Sequence, residues 1–287
     1  MKMISLILLM VVVMVLLSVN VLGARETKFN SCFQGVNGTK WVNHKNPNHG
    51  NLSGGAVAGT TIFGISNNSV QFDGLSARVI LDAELMRNTS GEGGVLSYFS
   101  ALMPDVTTSE ATILAFSKPA SDDNYIMRVS YKPGSNNNEP NQIDSGQLGF
   151  DFQDPNVVRA NLETNVTQGS IKSYNATIAL WQSDGSKYSA FFNGNNRSKT
   201  MNKGTGVSEE TANAGRWANS TIGYTNLTVG TSTDFNFRHR LNMTGNITLL
   251  AILNDSLTQE EYTEIYNGGT PFNCTLILAL NSSVDVV

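Results

Sequence analysis

The sequence predicts an all-β antiparallel sandwich with one short helix near the C-terminus. Three observations predict it. Apolar and polar residues alternate at period two over many short segments. Gly, Asn and Asp punctuate those segments at regular spacing. No heptad, no internal repeat and no amphipathic stretch longer than about two helical turns competes with that pattern. With 40% hydrophobic and 15% charged residues the chain is globular in composition. Removing a short leader leaves roughly 260 residues, which suits one large sandwich, read as a single domain over residues 24–287.

The elements follow in order. Val70-Gln71-Phe72 alternates and turns at Asp73-Gly74 into a strand over residues 77–81. Residues 95–102 and 112–117 read as buried strands. Residues 126–131 set their apolar side chains on one face, and residues 148–152 do the same, with Asp151 on the other face. The central hairpin is the strongest signal: apolar residues 176–181, a turn at Asp184-Gly185, a return over 188–192 and an end at Asn193-Gly194. Asp-Gly and Asn-Gly supply the positive φ that tight hairpin turns need. Later strands cover residues 227–229 and 247–253. The helix is expected over 258–266, where Thr258 caps, Glu260 and Glu261 sit at the positive end, and Gly268-Gly269 stops it. Residues 133–145 and 195–216 read as polar loops inside the domain.

The termini point to export. Lys2 precedes an almost unbroken apolar run over residues 3–17, and small Gly23 and Ala24 precede Arg25. That order reads as a secretory signal peptide over residues 1–23, with Val21 and Gly23 in the small-residue positions before the cut. The run nearly spans a bilayer, so an uncleaved anchor is the alternative, and only then is the membrane a partner. Either way the chain is expected to be secreted or displayed on a cell or virion surface.

Sequons agree with export. Fourteen begin at Asn37, Asn51, Asn67, Asn88, Asn165, Asn175, Asn196, Asn219, Asn226, Asn242, Asn246, Asn254, Asn273 and Asn281. That is about twice what composition alone would scatter, although an Asn/Ser/Thr-rich β-protein also collects sequons by chance. Asn175 and Asn246 flank apolar strands and are expected to be sterically hidden. The chain has 2 cysteines, Cys32 and Cys274. Outside the cytosol a single pair is most simply a disulfide, and two unpaired thiols are the less comfortable alternative. A bridge requires the two ends of the domain to lie within about 7 Å, Cα to Cα.

A net charge of -4, a pI near 5.4 and the lack of any basic cluster exclude a nucleic-acid partner, because phosphate binding needs a dense Lys/Arg surface.

Several of these segments resemble a known family. Met243-Thr244-Gly245-Asn246-Ile247, then Leu257-Thr258-Gln259-Glu260-Glu261-Tyr262 and Ile265-Tyr266-Asn267-Gly268-Gly269, resemble the closing signature of concanavalin A-like domains of the laminin G type. Val70-Gln71-Phe72-Asp73-Gly74 looks like the opening strand, residues 112–118 like the strand after it, and residues 176–194 like the hairpin of that family. The resemblance covers roughly residues 60 to 272. It departs at Ser173-Tyr174, where many relatives carry Trp-His, and in its Asn-rich insertions. It implies a jelly-roll sandwich of two antiparallel sheets whose ends lie close together, in agreement with a bridge between Cys32 and Cys274.

The same fold hosts glucanases and lyases, so catalysis has to be read from residues. Glycoside hydrolysis needs paired carboxylates about 5–9 Å apart. Asp82-Ala83-Glu84 offers two acids without a third and reads as a solvated strand-to-loop transition, as do the strand-end acids Asp151 and Asp154. His44 and His49 share a polar loop without a third ligand, and His239 stands between two arginines, so no zinc spacing is present. No nucleophile elbow or Cys/His dyad is visible. The expectation is therefore no catalytic residue, no enzyme and no required cofactor. Calcium stays open through loop oxygens of Asp105, Asp122, Asp123, Asp234 and Asn236, which equally well shape turns.

For binding, sugar sites on this fold combine an exposed aromatic platform with Asn/Asp hydrogen bonding. Trp41 and Trp217 are the candidate platforms and Asn236 a candidate contact, whereas Trp181 lies in an apolar strand and reads as core. The leading function is an extracellular, N-glycosylated recognition module whose partner is a glycan or glycoprotein. The alternative is a structural coat or adhesin protein without a small ligand, and a remote one is a polysaccharide-degrading hydrolase.

Overall fold

The computed structural model describes residues 28–60, 62–64, 69–86, 92–101, 111–117, 125–132, 147–154, 157–165, 175–184, 188–196, 202–203, 226–231 and 242–279. In chain order the strands are β1 (Phe29–Asn37), β2 (Lys40–Asn43), β3 (Gly50–Ser53), β4 (Val57–Ala58), β5 (Val70–Asp73), β6 (Arg78–Leu81), β7 (Glu92–Ala101), β8 (Ala111–Ser117) and β9 (Tyr125–Lys132). They continue with β10 (Gln147–Asp154), β11 (Val157–Asn165), β12 (Thr177–Asp184), β13 (Tyr188–Phe192), β14 (Asn195–Asn196), β15 (Asn202–Lys203), β16 (Asn226–Val229) and β17 (Thr244–Leu253). Among the described residues two short α-helices follow β17, α1 (Gln259–Tyr266) and α2 (Cys274–Ala279).

All the described strand pairings are antiparallel, and they arrange the chain in two layers. In the first, β17 lies beside β7, which is followed by β12, β13 and β14. On its other side β17 pairs with β5 along its first half and with β1 along its second, and β4 flanks β5. The second layer runs β3, β6, β16, β8, β9, β10, β11, β15. Strand β2 pairs with both β1 and β3 and joins the layers at one edge.

Burial explains the sequence pattern of each layer. Phe33, Val95, Phe99, Trp181 and Leu250 of the first layer share one buried cluster with Val79, Leu114, Phe116, Val129, Leu227 and Val229 of the second. The opposite face of the first layer, with Cys32, Leu96, Tyr98, Ile178 and Leu249, is covered by Leu257, Tyr262, Ile265 and Ile277. Strands buried on both faces read as near-continuous apolar runs rather than alternating ones. That is why β7 and β17 are almost wholly buried, whereas β5 and β6 alternate.

Helix α1 starts where expected. Thr258 Oγ1 accepts from the Glu261 N–H at 3.2 Å and the Glu261 carboxylate accepts from the Thr258 N–H at 2.8 Å, a reciprocal capping box. Its end is set by Asn267 in a left-handed conformation, one residue before the glycines. Asn273 Oδ1 accepts from the Leu276 N–H at 2.8 Å and so caps α2. The disulfide between Cys32 and Cys274, with Cα atoms 5.7 Å apart, ties α2 to β1 across 242 residues of sequence.

Gly245 shows why this position in the resembling signature is a glycine. It takes φ 139°, and a Cβ there would stand 2.2 Å from the Ser100 carbonyl oxygen of the neighbouring strand.

Some expectations need correction. Residues 195–216, read as a loop, contain β14 and β15. Strands β1, β2, β3 and β11 and helix α2 go beyond the elements read from sequence. Residues 133–145 lie outside the described residues. Trp41 is not an exposed platform: β2 alternates, Trp41 falls on its inward face with 0% exposure, and its ring centroid lies 5.5 Å from that of Phe33.

Candidate functional site

The second layer presents one face to the core and one away from it. Val79, Val229, Leu114 and Val129 are successive cross-strand partners and are fully buried against the first layer. Side chains alternate along a strand, so the neighbouring row takes the other face. That row runs Lys40, Asn51, Ile80, Thr228, Ala115, Arg128, Asp151, Asn161, Asn202, each the direct partner of the next on nine consecutive strands. The local packing of β3 confirms the assignment of faces at this edge. A Cβ on Gly50 would run into Val79 and Leu81 of the core, and Leu52 packs against the same cluster, so Asn51 between them faces outward.

The chemistry of the row is polar at both ends and small in the middle. Lys40 Nζ donates to Asn51 Oδ1. Ile80 is 41% exposed, while the small side chains of Thr228 and Ala115 are buried, and the Thr228 hydroxyl donates to the Thr231 carbonyl at 3.1 Å. Arg128 and Asp151 are register partners on adjacent strands. Asn161 and Asn202 extend the polar end. The sequence hinted at this row only through Asp151, which alternates with the apolar residues of its strand. Joining residues from nine strands needs the register, which single-strand periodicity does not supply.

A second group of polar residues collects at one end of the first layer. Glu92 and Asp184 are cross-strand partners. Lys28 Nζ donates to Glu261 Oε2 at 3.0 Å and to the Ser256 carbonyl at 2.9 Å, and lies 3.9 Å from Asp255 Oδ2. A hydrogen bond with the Asp255 side chain raises the Glu92 carboxyl above its ordinary range; burial and the charges of Asp255 and Asp184 add to this, and Lys28 opposes it. These acids are far apart in sequence and were not among the expected site residues.

The other sequence candidates have mostly structural partners. Asp82 Oδ1 accepts from the Glu84 N–H at 3.0 Å and Asp82 Oδ2 from Asn48 Nδ2 at 3.0 Å, so Asp82 opens the 3-10 turn Ala83–Met86. The His49 Nδ1 accepts from the Asn43 N–H at 3.0 Å, and His44 Nε2 lies 3.0 Å from the Gln34 carbonyl; the two rings serve different backbone groups. Asp73 Oδ1 accepts from three backbone N–H groups, those of Leu75, Ser76 and Ala77, and these bonds lower its carboxyl below the ordinary range. Trp181 is core, with 0% exposure. Among the described residues no group of three or more His, Cys, Asp or Glu is arranged to hold a metal, and no helix is long and apolar enough to cross a membrane. Trp217, Asn236, His239, Asp105, Asp122, Asp123, Asp234 and residues 1–23 lie outside the described residues.

Of the sequon asparagines, Asn37, Asn51, Asn175, Asn196 and Asn254 are exposed and Asn226, Asn242, Asn246 and Asn273 half-buried. Asn175 is thus open, contrary to the expectation that it is hidden, because it precedes β12 rather than lying in it. Asn67, Asn88, Asn219 and Asn281 lie outside the described residues, and Asn165 is placed by its backbone alone.

No family model and no curated relative matches the chain. Solved structures do. The binding domain of Paraclostridial Mosquitocidal Protein 1 is similar at 13% identity and a TM-score of 0.58 over 85% of this chain and 53% of that one. A mutant of Trypanosoma rangeli sialidase displaying trans-sialidase activity is similar at 10% identity and a TM-score of 0.50, over 88% of this chain and 33% of that one. The Ruminococcus gnavus IT-sialidase CBM40 gives a TM-score of 0.47 at 10% identity, over 67% of this chain and 93% of that one. The chain therefore spans about half and a third of the length of the first two. At these identities the likeness is one of fold: the chain is an all-β antiparallel sandwich.

Proposed function

We propose that the chain is an extracellular, N-glycosylated recognition module, a divergent concanavalin A-like, laminin G-like sandwich over residues 24–287, and that it binds glycans on the outward face of its second layer. The observation that carries this reading is the transverse polar row. Arg128, Asp151 and Asn161 sit on adjacent strands about 4.8 Å apart. Arg, Asp and Asn are residue types that carry the donors and acceptors sugar hydroxyls need. Exposed Ile80 supplies apolar surface for the C–H face of a sugar ring. The fold is one that the binding domain of the mosquitocidal protein also uses. No metal or organic cofactor enters this reading, so chelation of calcium leaves binding intact.

The test is a glycan array probed with the disulfide-bonded chain, followed by calorimetry on the best ligand. Arg128→Ala and Asn161→Ala are each expected to weaken binding about tenfold, or about 1.4 kcal/mol, with the unfolding midpoint held. A folded chain that binds no glycan overturns the reading. The structural-brick alternative draws support from the clasp of Cys32 and Cys274 and from the double covering of the first layer. It predicts self-assembly of the purified chain without any sugar ligand.

A further inference from the structure

Two sequons far apart in meaning for the sequence share one place in the fold. Asn37-Gly38-Thr39 makes the hairpin turn between β1 and β2: Asn37 and Lys40 are register partners, and Gly38 takes φ 60° in the two-residue loop between them. Lys40 is in turn the register partner of Asn51 on β3, which opens Asn51-Leu52-Ser53. Direct cross-strand partners set their side chains on one face. Asn37, Lys40 and Asn51 therefore form a short row on three adjacent strands, with the two asparagines about 10 Å apart. All three are exposed, as are Gly38 and Thr39. Lys40 Nζ donates to Asn51 Oδ1, and among the described residues no hydrogen bond holds the Nδ2 of Asn37 or of Asn51, the atom that bonds to the first sugar.

Asn242 is the contrast. It is half-buried, its Nδ2 donates to the Leu75 carbonyl and its Oδ1 accepts from Thr231 Oγ1, both at 2.5 Å. Both amide atoms are thus fixed in the contact between the turn after β5 and the segment after β16, and a sugar on Nδ2 would have to displace that contact.

We propose that Asn37 and Asn51 both carry N-linked glycans, a paired site that covers Lys40 at the edge where β2 joins the layers, and that Asn242 stays bare because its amide belongs to the fold. This rests on the extracellular, N-glycosylated reading given above and not on glycan binding. Each glycan root stands one strand spacing from Lys40, about 5 Å. Oligosaccharides are bulky and hydrated, so two rooted this close screen the ammonium between them.

The experiment uses the chain from a glycosylating secretory host. Glycopeptide mass spectrometry scores occupancy at each sequon, and a bulky amine-acylating reagent scores access to Lys40 relative to Lys45, which is also exposed. The comparison is the Thr39→Ala/Ser53→Ala double variant, which loses both sequons but keeps both asparagines. The parent chain made with glycosylation inhibited is a second comparison without any mutation. The expected result is that Asn37 and Asn51 are occupied and Asn242 is bare, with severalfold lower labelling of Lys40 in the glycosylated chain than in either comparison. A bare Asn37 or Asn51, an occupied Asn242 in the folded chain, or equal labelling of Lys40 in all three forms overturns the proposal and leaves the reading above standing. If every sequon is bare, the proposal and the N-glycosylated reading both fall.

Discussion

Gln182 and Leu257 exchange two hydrogen bonds: Gln182 Nε2 donates to the Leu257 carbonyl and the Leu257 N–H donates to Gln182 Oε1, both at 2.8 Å. One buried side chain thereby satisfies both backbone groups of the residue that leads into α1. The contact fixes the covering helix on β12, and the disulfide fixes α2 on β1. The first layer is thus clamped at two points.

Replacing Gln182 with Ala leaves the Leu257 N–H and carbonyl unpaired in the interior. Each buried unpaired group costs about 1–3 kcal/mol, so the variant is expected to lose about 2–4 kcal/mol in urea unfolding. A loss below about 0.5 kcal/mol would mean that this double bond does not anchor the helix.

Two buried tyrosines are expected to respond oppositely to loss of the hydroxyl. Tyr262 donates to the Ile178 carbonyl at 3.1 Å and accepts from the Gly194 N–H at 3.4 Å. Tyr262→Phe should therefore cost about 1–3 kcal/mol. The Tyr98 hydroxyl is fully buried and has no hydrogen-bond partner among the described residues. Tyr98→Phe should be neutral or stabilising, as read by paired thermal and urea unfolding.

Reducing the bridge, or replacing Cys32 and Cys274 with Ser, is expected to cost about 2–5 kcal/mol. Hydrogen exchange should show α2 losing protection first, because its remaining anchors are few: Ile277 in the apolar layer and the Cys274 N–H bond to Gln34 Oε1 at 2.8 Å.

Stability should change with pH through two carboxyls of opposite sign. Glu92 is raised above its ordinary value of 4.5, so the folded chain holds the extra proton. Its contribution is complete below 4.5 and is lost as pH rises through the folded value. Asp73 is lowered from 3.8; its contribution is present above 3.8 and is lost as pH falls through the folded value. Glu92→Gln should therefore gain stability relative to the parent at pH 7 compared with pH 4, and Asp73→Asn should lose it. Urea unfolding at the two pH values reads both. An unchanged Glu92→Gln difference would mean that the Glu92 carboxyl is not raised in the folded chain.

Much of the architecture was legible in the sequence because local signals carry it. The hairpin of β12 and β13 was legible in its Asn-Gly end and apolar runs, and α1 in Thr258, Glu260 and Glu261. The pairing of Cys32 with Cys274 followed from compartment and count. Strand β1 was not legible, since its Ser31 and Gln34 read as polar until the fold beside β17 buries them. Trp41 was misplaced because a lone aromatic in a polar segment looks exposed; the alternation of a four-residue strand turns it inward. The candidate row was illegible for a different reason. Its residues are each unremarkable on their own strands, and only cross-strand register brings Asn51, Arg128, Asp151 and Asn161 into line.

The measurement that bears most directly on this account is hydrogen exchange by mass spectrometry on the disulfide-bonded chain with and without its best array glycan. The account predicts protection in peptides spanning β9, β10 and β11, around Arg128, Asp151 and Asn161. Protection confined to the β12–β13 hairpin or to α1, with these strands unchanged, would contradict it.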